Sequence, residues 1–226
     1  MNCILKEGKP YTKISSKINR IFMKDEAYNT LSYWIITGEL EQNTKLNIND
    51  LSELLGISRT PVREALLRLE KDGLVLTKAN SWTIVAPINL EEAYNIYSVI
   101  ISLEELALRQ AFPKIKKSNI KELENLNEEL GKAFKKNDFF DVLQKDNHFH
   151  SKIIELSGNN EILPIIDSLK KRIQRMELYF FQNVQKKEKS YLEHKKILLA
   201  LEEKNLEKSV ETLKNNWKNS ILLNKI

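Results

Sequence analysis

Apolar residues recur at helical spacing along most of this chain, and the pattern is clearest between residues 51 and 73. Two short runs there predict two helices joined by a tight turn at Gly56. The first helix is predicted to pack through Leu51, Leu54 and Leu55. The second is predicted to pack through Val62, Ala65, Leu66 and Leu69. This arrangement predicts a helix-turn-helix.

The outer side of the second helix carries Arg59, Thr60 and Arg63, directly after Ser58, which can cap the helix by accepting a backbone N–H. Two guanidinium groups one turn apart suit phosphates and the O6/N7 edge of guanine, and a threonine can add a phosphate or methyl contact. An arginine pair can equally be a solvated helix face, without any DNA. We predict that Ser58, Arg59, Thr60 and Arg63 contact DNA, with this helix in the major groove.

The flanking sequence completes a winged domain over residues 25–88. A helix is predicted from about Asp25 to Thr37, and Asn43 suits a left-handed turn in the connection that follows. After residue 73 the pattern changes to β-branched and aromatic runs at 74–77 and 82–85, which predict a small β-hairpin wing. Lys78 is the predicted wing contact to phosphate, although any exposed lysine would look the same.

Six amphipathic helical patterns with short connections follow Pro87 and predict an all-α antiparallel bundle over residues 89–226. The first and fifth of these helices begin at sequences that resemble capping boxes, Asn89 with Glu92 and Ser190 with Glu193. Residues 185–190 are interpreted as a charged loop. The apolar pattern assigns Leu106 to the inner side of the first bundle helix and Trp217 to that of the last. The predicted fold class is therefore mainly α, with an N-terminal winged helix-turn-helix and a C-terminal helical bundle.

Length and composition limit the choice of function. With 226 residues and 42% hydrophobic content, the chain can bury sizeable cores. It has no apolar run near the ~20 residues that span a bilayer, and its N-terminus lacks the apolar core of a signal peptide. The single cysteine, Cys3, excludes an internal disulfide and cysteine-based zinc modules. We therefore expect a cytoplasmic protein with no membrane partner.

The positive charge is concentrated at the N-terminus. Residues 1–24 carry six basic side chains and one acidic side chain, which accounts for the whole net charge of +5. This basic arm could lie along DNA phosphates, or it could be a frayed, solubilising tail.

Polar residues on predicted inner faces suggest a metal site in the bundle. Asp146 and His150 are spaced i, i+4 on the third bundle helix, so both can reach one ion, and His194 is predicted in the first turn of the fifth. A histidine with apolar neighbours is also often a satisfied core residue. His148 lies on a different side of its helix and is interpreted as a surface or packing residue.

Two long motifs resemble known families. ISRTPVREAL followed by L-x-x-D-G-L resembles the winged-helix domain of the GntR family of bacterial transcription regulators. FFDVLQKDNHFHSKIIELSGNNEIL, then EHKKILLALEEKN, resembles the effector-binding FCD domain of the FadR-type branch of that family. Together the two resemblances cover about residues 25–223.

The second resemblance implies a divalent metal ion. Members with a metal site use positions that match Asp146, His150 and His194, and a last histidine whose position falls on Asn216 here. An amide oxygen is a weaker and harder ligand than imidazole, so Zn²⁺ or Ni²⁺ would be held less tightly, and the site would either favour Mn²⁺ or use water as a ligand. We predict that metal binds. An empty site is also compatible with this change.

The resemblance also implies a small-molecule effector, by default an organic acid. Many relatives carry a carboxylate-binding arginine in the first bundle helix, and Ile100 occupies that position here. A metal-bound carboxylate, or an inward-facing Arg172 or Arg175, would be an alternative. Because Ile100 cannot bind a carboxylate, a purely structural role for the metal ion, or a regulator that senses the metal ion itself, becomes a stronger alternative.

The predicted function is a one-component transcription regulator, a homodimer that places two recognition helices on a roughly palindromic operator. Repression relieved by ligand is the expected mode, and the chain is not expected to be an enzyme. Two alternatives stay open. An Asp/His/His site with an open position can activate water in a metalloenzyme, although no H-E-x-x-H motif is present. The chain could also be a helical interaction module with a vestigial DNA motif.

Overall fold

The computed structural model describes residues 20–78, 81–136, 138–181 and 184–223. The N-terminal unit contains α1 (Arg20–Thr37), α2 (Ile48–Leu55), α3 (Arg59–Lys71), β1 (Val75–Lys78) and β2 (Trp82–Val85). The bundle contains α4 (Leu90–Ala111), α5 (Lys117–Phe134), α6 (Phe139–Ser157), α7 (Ile162–Phe181), α8 (Val184–Glu202) and α9 (Leu206–Leu223). The predicted fold class is confirmed. Most of the basic arm predicted at 1–24 lies outside the described residues.

The helix-turn-helix forms as its apolar pattern predicts. Gly56 ends α2 in the left-handed region, with φ of 64°, and so permits the turn into α3. The buried face of α3 is the predicted one, formed by Val62, Ala65, Leu66 and Leu69. Leu54 was wrongly assigned to the inner face of α2, since 68% of its surface is exposed, while Leu51 carries the burial.

The wing is a two-stranded antiparallel hairpin in which Val75 pairs with Val85 and Lys78 with Trp82. A short β-bridge joins Lys45 to Ile84, so the segment before α2 extends the sheet on its other side. Asn43 in that segment has φ of 67°, which confirms the predicted left-handed turn.

The bundle departs from the sequence prediction at two places. Helix α8 begins at Val184, so residues 185–190 are helical rather than a loop, and Ser190 lies inside the helix instead of capping it. Lysine and glutamate are good helix formers, which lets this charged stretch continue the helix. Leu106 was predicted to face inward on α4 but is 43% exposed.

Helices α6 and α7 join the two units. The hydrophobic core of the winged unit includes Phe139 and Leu143 of α6 and Leu178 of α7. Lys171 of α7 forms an ion pair with Asp72, the C-cap residue of α3, at 3.3 Å, and donates a hydrogen bond to the Tyr28 hydroxyl. The Tyr28 hydroxyl in turn donates to Asp72. The far end of the recognition helix is thereby attached to the bundle. In the part of the chain that the structure describes, no helix is long and apolar enough to cross a membrane.

Candidate DNA interface and metal centre

The N-terminal turn of α3 forms a basic, outward-facing surface. Arg59, Thr60 and Arg63 are all exposed, as is Lys78 at the end of β1. Neither Arg59 nor Arg63 has an acidic partner within ion-pair distance among the described residues. Ser58 occupies the N-cap position, but its side chain makes no capping hydrogen bond, contrary to the predicted capping role. These groups are available to an anionic partner.

Arg68, near the other end of α3, differs from that pair because the fold already uses it. Its guanidinium donates to Asp25 at 3.1 Å and lies over the Tyr28 ring, 3.7 Å from the centroid. A cation stacked in this way stabilises the packing of α1 on α3. The N-terminal end of α3 is therefore an exposed surface, whereas its C-terminal end contacts other parts of the fold.

The structure brings Asp146, His150 and His194 together inside the bundle. One ligand atom from each lies within 4.8 Å of the others, and both histidines are fully buried. The two Nε2 atoms are 3.3 Å apart, and Asp146 Oδ1 is 3.6 Å from His194 Nε2. Two nitrogen ligands of a tetrahedral Zn²⁺ at ~2.0–2.1 Å are separated by about 3.3 Å, so the spacing suits a first-row metal ion.

Hydrogen bonds behind the two rings leave their Nε2 atoms as the coordinating atoms. Glu104 Oε2 lies 2.7 Å from His150 Nδ1, and a carboxylate can only accept, so Nδ1 is the donor. Asn127 Nδ2 donates to the Tyr191 carbonyl at 3.1 Å, which turns the Asn127 oxygen toward His194 Nδ1 at 3.0 Å. Both rings then present an Nε2 lone pair, as metal-binding histidines require.

Glu104 is the centre of a buried polar network. Its carboxylate accepts a hydrogen bond from Trp217 Nε1 at 2.7 Å and forms an ion pair with Lys170 at 2.9 Å. Burial alone would raise the pKa of Glu104, but the neighbouring His150 ring and Lys170 ammonium, and the hydrogen bonds from His150 and Trp217, lower that pKa to about 2. The carboxylate is ionised and holds His150 in one orientation.

Asn216 is buried on α9 with its amide nitrogen engaged. Its Nδ2 donates to Glu193 Oε2 at 3.0 Å, and Asn219 Nδ2 donates to the other oxygen of Glu193. The oxygen is therefore the end of the amide that remains for an ion. Phe149 stacks on the His194 ring, with centroids 3.9 Å apart and planes 8° apart, and fixes that ring from one side.

Sequence reasoning missed the residues that orient the ligands. Glu104, Asn127 and Lys170 are charged or amide residues on otherwise apolar helix faces, and this interruption was the available signal. Trp217 was assigned to the core and also supplies a hydrogen bond. His148 is exposed, as interpreted. Ile100, at the position of the usual carboxylate-binding arginine, is fully buried.

The two arginines considered as substitutes for that residue lie elsewhere. Arg172 pairs with Glu92 on α4 and packs against Gly73 at the end of the recognition helix. Arg175 is buried beside the loop that follows α1. Among the contacts that the structure describes for His150 and His194, none comes from either arginine.

A winged helix with an open basic recognition helix, followed by a helical bundle with a buried ligand-type cluster, defines a one-component DNA-binding regulator. The sequence model of the FCD domain matches residues 95–219, and the model described as "Bacterial regulatory proteins, gntR family" matches residues 23–85. The chain therefore belongs to the GntR family, in the branch that carries an FCD domain. Regulators of this family bind DNA and are not enzymes, which confirms both predictions, and FCD domains bind small-molecule effectors.

Individual relatives agree with this assignment. The chain is 25% identical over 181 residues to the HTH-type transcriptional regulator YdhC of Bacillus subtilis, covering 80% of this chain and 81% of that protein. It is 23% identical over 195 residues to the HTH-type transcriptional repressor RspR of Escherichia coli, covering 86% and 82%. The structure of E. coli McbR/YncC superposes with a TM-score of 0.77 at 24% identity, covering 89% of this chain and 97% of that one. This last likeness shows the fold.

Proposed function

We propose that this protein is a cytoplasmic transcriptional repressor whose operator affinity is controlled by a divalent metal ion and a small-molecule effector bound in the helical domain. The observation that carries the proposal is the connection between the two candidate sites through α7. Lys170 of α7 pairs with Glu104 behind His150, and the next residue, Lys171, pairs with Asp72 at the end of the recognition helix. One helix thus contacts both Glu104, the partner of His150, and the end of the DNA-reading helix.

In this proposal α3 lies in the major groove. Arg59 and Arg63 contact guanine edges or phosphates, Ser58 and Thr60 add hydroxyl contacts, and Lys78 of the wing meets a phosphate. Exposure of these side chains, and the absence of acidic partners for both arginines among the described residues, support these roles. The winged domain is assigned to residues 25–88, the effector and dimerisation domain to 89–226, and a phosphate contact to the basic arm at 1–24.

Asp146, His150 and His194 are proposed to hold the metal ion, with Asn216 as the fourth protein ligand. The Nε2 separation of 3.3 Å and the orientation of both rings support the two histidines, and the clustering of Asp146 with them supports the carboxylate ligand. One amide and one carboxylate oxygen beside two imidazoles favour Mn²⁺ more than a four-nitrogen set would, and Zn²⁺ and Ni²⁺ remain alternatives. An ion with open coordination positions would supply an electrophilic partner for an organic-acid effector, in place of the arginine that Ile100 replaces.

The active form is proposed to be a homodimer on a roughly palindromic operator. Val99 and Leu106 lie seven residues apart on α4, so they share a face, and both are more than 40% exposed. A second chain that covers this face would place two recognition helices on successive half-sites. The relative RspR is named a repressor, which supports the proposed sign of regulation.

Footprinting on the DNA upstream of the protein's own gene tests the proposal. Metal-free protein should protect a roughly palindromic site, and adding Mn²⁺, Zn²⁺ or Ni²⁺ should change the apparent Kd through a coupling of ~1 to 3 kcal/mol. Arg63→Ala should remove protection, and His150→Ala should retain protection but lose the metal response. Protection that ignores metal in the wild-type protein would contradict metal control, and equal binding to all duplexes would contradict operator recognition.

A further inference from the structure

A cleft of about 380 Å³ lies where the winged unit meets the bundle, outside the metal cluster. One wall is formed by the end of α1 and the loop after it, including Ile36, Leu40 and Glu41. The opposite wall is formed by α7, through Arg175 and Leu178. This volume is within the range of ~300–1,000 Å³ that is typical of small-ligand sites.

Arg175 is the unusual member of this cleft. Only 6% of its surface is exposed, and no carboxylate among the described residues lies within ion-pair distance of its guanidinium. Neighbouring cations on α7 are paired, Lys170 with Glu104, Lys171 with Asp72 and Arg172 with Glu92. Buried charges in proteins are normally paired, because removing an ion from water is costly. A buried arginine on a cleft wall, without a carboxylate partner among the described residues, is therefore suited to bind an anion from outside the chain.

We propose that this cleft is a second ligand site, separate from the metal centre, which binds a small organic monoanion whose carboxylate pairs with Arg175. A guanidinium and a carboxylate form two parallel hydrogen bonds, which fixes the orientation of such a ligand. Burial lowers the pKa of Arg175 to about 10, so the group is still charged at neutral pH. The apolar side chains on both walls receive the body of the ligand.

Glu41 restricts the charge of the ligand. It lines the same cleft but makes no ion pair with Arg175. A second negative group on the ligand would face this carboxylate at a low-dielectric surface and be repelled. The site therefore selects monocarboxylates over dicarboxylates.

The position of the cleft would let a bound ligand control how the winged unit sits relative to the bundle. Gln42, in the same loop, accepts a hydrogen bond from the Ile88 backbone N–H at 3.1 Å and donates to the Tyr179 hydroxyl of α7 at 3.2 Å. The loop, the interdomain connection and α7 meet at this one amide. A ligand clamped between Arg175 and the loop would hold the winged unit in one position relative to the bundle, whether or not metal is present.

The test uses full-length, chelator-treated protein with 4-fluorobenzoate, observed by fluorine NMR line broadening. We expect saturable binding that Arg175→Gln weakens by at least about tenfold, as loss of a buried charge pair requires. The neutral analogue 4-fluorobenzamide should not bind, and His150→Ala, which removes a metal ligand, should bind 4-fluorobenzoate like wild type. Melting curves establish that each variant is folded.

Glu41→Gln provides a second variant at an exposed position where folding is not at risk. It should tighten 4-fluorobenzoate binding and should allow the dianion 4-fluorophthalate to bind, which wild type excludes. The proposal is overturned if wild type shows no broadening up to about 10 mM probe, or if Arg175→Gln and wild type bind equally. Loss of binding in His150→Ala also overturns it, since the probe would then occupy the metal centre. DNA binding is measured separately, so these outcomes leave the proposed regulator function untouched.

Discussion

Lys170 and Lys171 are consecutive on α7, yet their ammonium groups pair with carboxylates in different units. Lys170 lies 2.9 Å from Glu104 in the bundle core, and Lys171 lies 3.3 Å from Asp72 at the C-cap of the recognition helix. A helix is stiff along its axis, so under the proposed function a change at one pair would be transmitted to the other along α7. These two contacts form a short physical connection between the two candidate sites.

Replacing Lys171 with Met should uncouple the sites while leaving both intact. The variant keeps most of the apolar stem but loses the ion pair to Asp72 and the hydrogen bond to Tyr28. We expect the metal-induced change in operator affinity to shrink, with metal affinity unchanged, in paired DNA and metal titrations. Lys145→Met is the matched control, because Lys145 pairs with Glu129 within the bundle. An undiminished metal response in Lys171→Met would rule out this route.

Arg63→Ala should weaken operator binding by ~1 to 3 kcal/mol without altering the melting temperature, because Arg63 is exposed and is not part of the buried face of α3. Fluorescence anisotropy against the footprinted site at several salt concentrations measures this loss. Arg109→Ala is a charge-matched control, since Arg109 pairs with Glu105 and Glu207 in the bundle. Equal losses of operator affinity in both variants would show that the effect comes from net charge and not from a direct contact of Arg63 with DNA.

Asn216→His should tighten binding of Zn²⁺ and Ni²⁺ by tenfold or more, because imidazole is a better ligand for these borderline ions than an amide oxygen. Competition against a chromophoric chelator gives the affinities, and elemental analysis gives the stoichiometry. The substitution also removes the hydrogen bond to Glu193, so Asn219→Ala, which loses a similar bond to the same carboxylate, is the control. Unchanged Zn²⁺ affinity in Asn216→His would exclude residue 216 from the ligand set.

Glu104→Gln separates ligand orientation from stability. Losing the carboxylate should lower metal affinity about 10- to 100-fold, as is typical when the partner of a ligating histidine is removed. It should also destabilise the fold by about 3 to 5 kcal/mol, because Lys170 is left buried without its counter-ion. The double variant Glu104→Gln/Lys170→Met should recover much of the melting temperature but not the metal affinity. Recovery of both would show that Glu104 acts on stability alone.

Arg175→Met should stabilise the ligand-free protein by roughly 1 kcal/mol, because it removes a buried charge and keeps an apolar chain of similar length. Chemical denaturation at neutral pH measures the difference. Leu178→Ala, on the same helix, should instead destabilise the protein, since Leu178 belongs to the core shared with the winged unit. A less stable Arg175→Met variant would indicate that the guanidinium already has a stabilising partner.

The sequence was sufficient to predict those elements whose structure depends on residues that are close together along the chain. The buried face of α3, the turn at Gly56 and the left-handed Asn43 all follow from spacing and backbone preference. It failed where apolar residues stay exposed, as at Leu54 and Leu106, because periodicity gives the face of a helix but not how much of that face a neighbour covers.

The candidate metal centre was only half predictable for a related reason. Asp146 and His150 share one helix, so their spacing alone places them together, whereas His194 was added through the resemblance. Glu104 and Asn127 come from two other helices and act through hydrogen bonds whose partners are 46 and 67 residues away. Such pairings depend on how the helices pack, which local patterns do not encode.

The depth of the histidine pair has a kinetic consequence. Both rings are fully shielded from solvent, and Asp146 is only 5% exposed, so an ion could enter or leave this cluster only when the surrounding helices part. Exchange would then proceed at the rate of those opening motions rather than at the rate of diffusion. A regulator with such slow exchange would keep its bound ion after the metal concentration falls, and it would not respond to brief changes in that concentration.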